Sequence, residues 1–262
     1  MLLRSGAVLV LVVAGLAQPA EAQEIVNPTW ASIPDGEAMA EVYPEFASMI
    51  SLEGDVNLRC RVARDGTLSL CRVNTAVPEA LGFDDAALAL APRFRVNPRE
   101  VDGEATKSSV QFTIRFRMAP EEAPPPWTGA EPSPGHLSAA AKVLVAMTGP
   151  TDAETIAQEL ATLDLDVDDD RVDRVRAMFM QVEAEFSDEA KQAATLAMAR
   201  LLSPEQLADI QAGGPWPPRP IDEQLASAGD VAHRVMEKRY ARLRELYCVE
   251  YECPERTPAP AI

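Results

Sequence analysis

Residues 54–73 read Gly-Asp-Val-Asn-Leu-Arg-Cys-Arg-Val-Ala-Arg-Asp-Gly-Thr-Leu-Ser-Leu-Cys-Arg-Val, two alternating apolar segments on either side of Asp65-Gly66. That dipeptide tolerates the positive φ angles of a tight turn, so the stretch predicts a β-hairpin. With Asp65 and Gly66 as the two loop residues, Val62 faces Ser69, Cys60 faces Cys71 and Leu58 faces Val73. Directly opposed Cα atoms in an antiparallel pair lie about 4.5–5.5 Å apart, inside the window a disulfide requires. A Cys60–Cys71 bridge follows, provided the compartment is oxidising.

The start of the chain addresses that condition. Arg4 precedes an apolar run from Ala7 to Ala17, and Ala20-Glu-Ala22 supplies a small-residue cleavage pattern, so residues 1–22 read as a cleaved signal peptide. The run is well short of the ~20 residues a membrane span needs. The expected location is therefore the periplasm, with an uncleaved inner-membrane anchor as the alternative. The four cysteines form two sequence-local pairs, Cys60/Cys71 and Cys248/Cys253, which fits disulfides rather than metal. Four cysteines formally allow three connectivities, and only the hairpin argues for one of them. Pairing of Cys248 with Cys253 requires the last helix to end near Cys248, because residues five apart on a continuous helix point to different faces.

The formal charge of −17 is unevenly spread. Residues 53–117 carry ten basic and nine acidic side chains, whereas residues 119–262 carry thirteen and twenty-six. An acidic second half argues against nucleic acid or an anionic membrane surface as partner.

Taken in order, residues 23–42 form a polar leader without periodicity, expected to be flexible. Residues 43–50 predict a short helix with Pro44 in its first turn. The hairpin follows, and then a helix over residues 83–91 with Phe83, Ala87, Leu88 and Ala91 on one face. After a turn at Asp102-Gly103, residues 108–118 alternate strictly, with Val110, Phe112, Ile114, Phe116 and Met118 on one side, as a half-buried strand does. Helix, strand, strand, helix, strand predicts an α+β unit: a three-stranded antiparallel sheet with two helices over one face.

The order and spacing of Tyr43-Pro44, Glu53-Gly54, Asp65-Gly66, Val73, Asp84 with Ala86-Ala87-Leu88, Phe94 with Pro98, Gly103, and the strand from Val110 to Arg117 resemble the C-terminal domain of TonB. TonB is the periplasmic protein that couples the inner membrane to outer-membrane receptors. The resemblance spans residues 43–118. It implies binding of an extended partner segment, for instance from an outer-membrane receptor, by strand addition to the last strand, an exposed sheet edge being a ready template. The implied partner-binding residues are Gln111, Thr113, Arg115 and Arg117. Energy transducers of this kind also carry an N-terminal anchor with a histidine and a long proline-rich spacer; here the first histidine is His136.

Residues 119–136, with prolines at 120, 124, 125, 126, 132 and 134, read as a semi-rigid extended linker. Beyond it, residues 137–253 predict a separate, acidic, all-helical domain. Its helices are expected over 137–147, 153–163, 171–186, 188–202, a segment after the Ser203-Pro204-Glu205-Gln206 capping box, and a final helix over 222–247. Residues 144–149 and the run Leu202-Ser-Pro-Glu-Gln-Leu207 resemble a helical family of unknown function in secreted bacterial proteins, though the aromatic and Ser-Pro-x-Gly continuation is missing. Residues 254–262 read as a disordered tail.

Sites for chemistry are sparse. Asp164, Asp166 and Asp168 match the start of a calcium loop, but its required glycine and bidentate glutamate positions hold Asp169 and Val175. Asp168–Asp170 instead suit the N-terminus of the following helix. His136 and His233 lack ligand-spaced partners, and no phosphate loop or nucleophile elbow occurs. No enzyme activity, cofactor or metal is expected. Arg93, Arg95, Arg115 and Arg117 read as a basic cluster near the last strand, able to discourage edge aggregation or to steer an acidic segment, including the chain's own acidic half. The function expected is a periplasmic peptide-binding module in envelope or TonB-dependent transport. The alternatives are an anchored, diverged energy transducer and a structural envelope protein without a transport role.

Overall fold

A computed structural model describes residues 25–118, 122–149, 153–162 and 165–253. The expected signal peptide and C-terminal tail lie outside the described residues.

The first half is α+β. Strands β3 (Gly54–Val62), β4 (Leu68–Val77) and β8 (Ser108–Phe116) form an antiparallel sheet in the order β4-β3-β8. Their inward residues alternate with solvent-facing ones, as the half-buried pattern demands. On β3, Val56, Leu58, Cys60 and Val62 are buried, and on β8 so are Ile114 and Phe116. Helices α2 (Glu45–Met49) and α3 (Phe83–Leu90) supply Phe46, Ala47, Phe83, Ala87 and Leu90 to the same core.

The hairpin turn differs from expectation by one residue. The Ala63 amide donates to the Thr67 carbonyl at 2.9 Å, leaving Arg64, Asp65 and Gly66 as a three-residue loop, with Gly66 left-handed at φ 80°. Val62 therefore faces Leu68, and Arg61 faces Ser69. A bulge in β4, where Leu70 has φ 47°, restores the expected register by Leu58↔Val73. The two departures cancel at the cysteines. The Cys60–Cys71 disulfide is present with its Cα atoms 4.0 Å apart. Gly66 is fixed by a distant contact: a Cβ there would lie 2.0 Å from the Val96 carbonyl oxygen, and the Val96 amide donates to the Gly66 carbonyl at 3.0 Å.

The leader is ordered rather than flexible from residue 25 onward. Strands β1 (Ile25–Val26) and β2 (Thr29–Ser32) pair with β6 (Arg99–Val101) and β5 (Arg95–Asn97), and helix α1 (Gly36–Ala40) is capped by the Asp35 carboxylate. β6 turns through Asp102 and Gly103, both at positive φ, into β7 (Glu104–Thr106), a two-residue hairpin loop.

The second half is helical: α4 (Pro134–Thr148), α5 (Ala153–Thr162), α6 (Asp169–Leu201), α7 (Pro204–Gln211), α8 (Asp222–Ala228) and α9 (Asp230–Tyr251). Residues 171–202 do not divide at Ser187-Asp188. With neither Gly nor Pro there, α6 runs unbroken for 33 residues, about 50 Å. The expected final helix is instead split at Gly229 and continues past Cys248 to Tyr251. Left-handed Glu252 then turns the chain back, so that Cys253 meets Cys248 with Cα atoms 4.8 Å apart. The Ser203/Gln206 capping box at α7 is formed on both sides, whereas Asp168 occupies the N-cap of α6 without a side-chain bond.

The helical half is not packed apart from the sheet. Val175, Met178 and Val182 of α6 and Leu243 and Tyr247 of α9 join the core that contains Phe46 and Ile50. The Phe46 ring lies 5.3 Å from that of Tyr247 and 5.9 Å from that of Phe179. Polar contacts cross the same junction. The Asp166 carboxylate accepts from the Glu45 amide at 2.9 Å, and Arg244 donates to the Ile50 and Ser51 carbonyls that end α2. A smaller second cluster, with Ala140, Val143, Ala199 and Leu207, joins α4, α6 and α7.

The described part of the linker before Pro134 is neither helix nor strand, and it is anchored to the helices. Buried Arg200 donates to Glu131 at 2.9 Å and to buried Asp230 at 2.7 Å, and its guanidinium lies 5.2 Å from the Trp127 ring. His136 belongs to the first turn of α4 rather than to the linker, and its Nε2 donates to the Leu202 carbonyl at 2.7 Å.

Candidate functional site: the β8 edge and the outer sheet face

The sheet has two edge strands, and they differ. β4 is irregular twice along its pairing with β3, with register shifts between Asn57/Leu58 and between Arg59/Arg61. Bulges of this kind twist an edge away from further pairing. β8 pairs with β3 in nine successive steps, from Gly54↔Phe116 to Val62↔Ser108, without a shift. Among the described residues β3 is its only strand partner. Its second row of backbone donors and acceptors lies along a regular edge.

Outward side chains of β8 are Ser109, Gln111, Thr113 and Arg115, all exposed. Gln111 and Thr113 meet Asn57 at the sheet centre. The Asn57 side-chain Nδ2 donates to the Thr113 hydroxyl at 3.1 Å, and its side-chain Oδ1 accepts from the Gln111 side chain at 2.9 Å and from the Asn74 side chain at 2.8 Å. These groups, with Asp55, Thr75 and Val77, line a shallow open depression of about 630 Å³ on the outer face.

The four arginines read as one basic cluster are dispersed. Arg93 pairs with Glu41 at 2.7 Å, and Arg95 donates to the Pro92 and Phe94 carbonyls. Arg117 is turned toward β3, pairing with Asp55 at 2.6 Å and donating to the Gly54 carbonyl. Arg115 alone among them stands on the outer face without an ion pair among the described residues. The outer face carries a different set of cations, which sequence reasoning missed: Arg59, Arg61 and Arg72, all exposed. Their signal was available in the alternation of β3, whose buried residues leave Arg59 and Arg61 on the opposite side.

The inner margin of β8 is apolar and incompletely covered. Trp30, from β2, packs on Phe112 at 4.9 Å and on Phe94 at 5.3 Å, yet keeps 43% of its surface exposed. At the far end of β8, Tyr43 packs edge-on against Phe83 and Phe116, and its hydroxyl donates to the Leu52 carbonyl at 2.8 Å. Burial, aided by the Glu53 charge, pushes the Tyr43 phenol up to about 12.

Among the described residues no three His, Cys, Asp or Glu side chains come together as a metal site, and no helix is long and apolar enough to cross a membrane. The arrangement is a small sheet with one regular edge, flanked by cations outside and aromatic rings inside. Residues 39–118 match the family described as Gram-negative bacterial TonB protein C-terminal, and so carry a TonB C-terminal domain. The matched segment is less than a third of the chain and includes α2, the β4-β3-β8 sheet and α3. No curated protein matches the chain.

Proposed function

We propose that this protein is an envelope protein-binding module that captures an extended polypeptide segment by pairing it with β8. The observation that carries the reading is the contrast between the sheet's edges: β4 is bulged twice, while β8 offers nine residues in unbroken register. Main-chain hydrogen bonds supply affinity in such pairing, and alternate side chains supply specificity. The family match at residues 39–118 supports placing the module in the periplasm, with a partner in TonB-dependent transport, such as a segment of an outer-membrane receptor. No catalytic step is assigned to it.

The test is proline at Gln111 and, separately, at Val110 in the full chain. Successive residues of an antiparallel strand direct their N–H groups alternately toward and away from the partner strand. One of the two prolines therefore removes a bond to β3 and costs stability, while the other removes only an outward donor. Crosslinked capture of envelope proteins is expected to fall with the outward proline while circular dichroism is unchanged. Capture unaffected by either proline in a folded protein rules out pairing at this edge.

A further inference from the structure

On the outer face of the sheet, exposed Arg59 and Arg72 are direct cross-strand partners on β3 and β4, and exposed Arg61 lies one outward position further along β3. Like charges directly opposite one another destabilise a sheet. Among the described residues none of the three makes an ion pair, in a chain whose net charge is −17. The acidic helical half does not cover them. α6 and α9 pack against α2, through Phe46 and Ile50, and α2 belongs to the core side of the sheet. The fold therefore maintains a concentration of positive charge on this face that its own stability does not call for.

Pairing register relates this charge to the β8 edge. Arg61 is opposite Ser109 and Arg59 is opposite Gln111. A strand added to β8 lies about 4.8 Å from it and so roughly 10 Å from β3. The short Ser109 side chain leaves the Arg61 guanidinium an open path to that position. Six residues along β8, exposed Arg115 stands directly beside the added strand. Between these two cations the outward neighbours are Gln111 and Thr113, which are polar and already hydrogen-bonded to Asn57. On the inner side the added strand meets half-buried Val110 and Phe112, with the part-exposed ring of Trp30 on Phe112. Trp30 lies outside the family-matched residues, so this wall is supplied by the ordered leader.

We infer that the segment captured at β8 is an amphipathic strand with apolar residues at alternate positions against Val110, Phe112 and Trp30, and acidic residues at the two outward positions next to Arg61 and Arg115. This rests on the strand-addition reading and adds the chemistry of the partner. The order acidic, polar, polar, acidic along the outward positions is the same in both directions, so the pattern holds for parallel or antiparallel addition.

The experiment is fluorescence anisotropy with the full chain and three labelled heptapeptides: Glu-Val-Gln-Val-Thr-Val-Glu, the same with Lys for Glu, and the same with Thr for Val. The acidic apolar peptide is expected to bind at least roughly tenfold tighter than the Lys peptide at low salt, with the gap narrowing as salt screens exposed charges. Arg61→Glu, which also relieves the arginine crowding and so is expected to fold, should shrink or reverse that gap. Trp30→Ala should weaken the Val peptides and leave the Thr peptide unchanged. Equal affinity for the Glu and Lys peptides, or a gap untouched by Arg61→Glu, overturns the inference and leaves strand addition standing. Failure of all three peptides to bind overturns strand addition itself and the inference with it.

Discussion

Replacing Phe46 by alanine tests whether the sheet and the helices form one cooperative unit. Phe46 is fully buried where α2 meets α6 and α9, with the rings of Phe179 and Tyr247 within 6 Å. Three separate elements enclose the site, so it collapses poorly once the ring is gone. Truncation of a buried phenylalanine costs about 3–5 kcal/mol. For a chain of this size each kcal/mol lowers the melting temperature by roughly 2–4 °C, so a drop on the order of 10 °C is expected. The assay is thermal unfolding followed by two probes: helix ellipticity, and fluorescence of Trp30 in a background with Trp127→Phe and Trp216→Phe. Trp30 packs on the sheet module through Phe94 and Phe112, whereas ellipticity reports mainly on α4 to α9. Both transitions should fall together and by the same amount. A Trp30 transition that moves while the helical one stays put would refute a shared core and restore two independent units.

Three other perturbations have defined outcomes. Cys71→Ser opens a loop of about a dozen residues, and by chain entropy should destabilise the protein by about 3 kcal/mol in denaturant titration, with no further loss on adding reductant if Cys248–Cys253 contributes little. Gly66→Ala places a methyl group on the Val96 carbonyl at φ 80°, so it should lower the denaturation midpoint by more than Gly103→Ala, whose Cβ meets nothing within 4 Å. The Tyr43 phenol, raised from 10 to about 12 in the fold, favours the native state fully below pH 10. That contribution is lost as pH rises from 10 to 12, because the unfolded chain has already released a proton that the folded chain retains. Alkaline unfolding curves of Tyr43→Phe should therefore lack the extra fall in stability that the unsubstituted protein shows across that window.

The physical basis of what was readable in the sequence differs from element to element. β8 was legible because Val110, Phe112, Ile114 and Phe116 alternate with polar residues, and a half-buried strand demands that period. The capping box at Ser203 and Gln206 was legible because it is a purely local bond pattern. The hairpin turn was read one residue short: Asp65-Gly66 suits a two-residue loop as well as the observed three-residue one. The deciding contact, Val96 on Gly66, comes from thirty residues away. The leader looked structureless because Ile25–Val26 and Thr29–Ser32 are too short to show a period and gain their order from β5 and β6. Separate helices over 171–186 and 188–202 were expected, but Ser187 and Asp188 only lower helix propensity and do not stop a packed helix. Phe46, Val175 and Tyr247 each read as apolar positions on amphipathic elements, and nothing in their spacing tells which element they pack against. The residues expected to bind a partner separate in the fold. Gln111, Thr113 and Arg115 occupy the outer face beside the free edge, whereas Arg117 is held by Asp55 and Glu53, and Trp30, Arg59 and Arg61 complete the surroundings.

The most direct measurement of the central claim is residue-resolved amide hydrogen exchange of the full chain with and without the acidic apolar heptapeptide. Pairing at β8 predicts that alternate amides between Ser108 and Phe116, those directed away from β3, gain protection while the intervening ones, already bonded to β3, change little. Bound peptide with no alternating gain along β8, or with protection confined to β4 or the helices, would contradict the account.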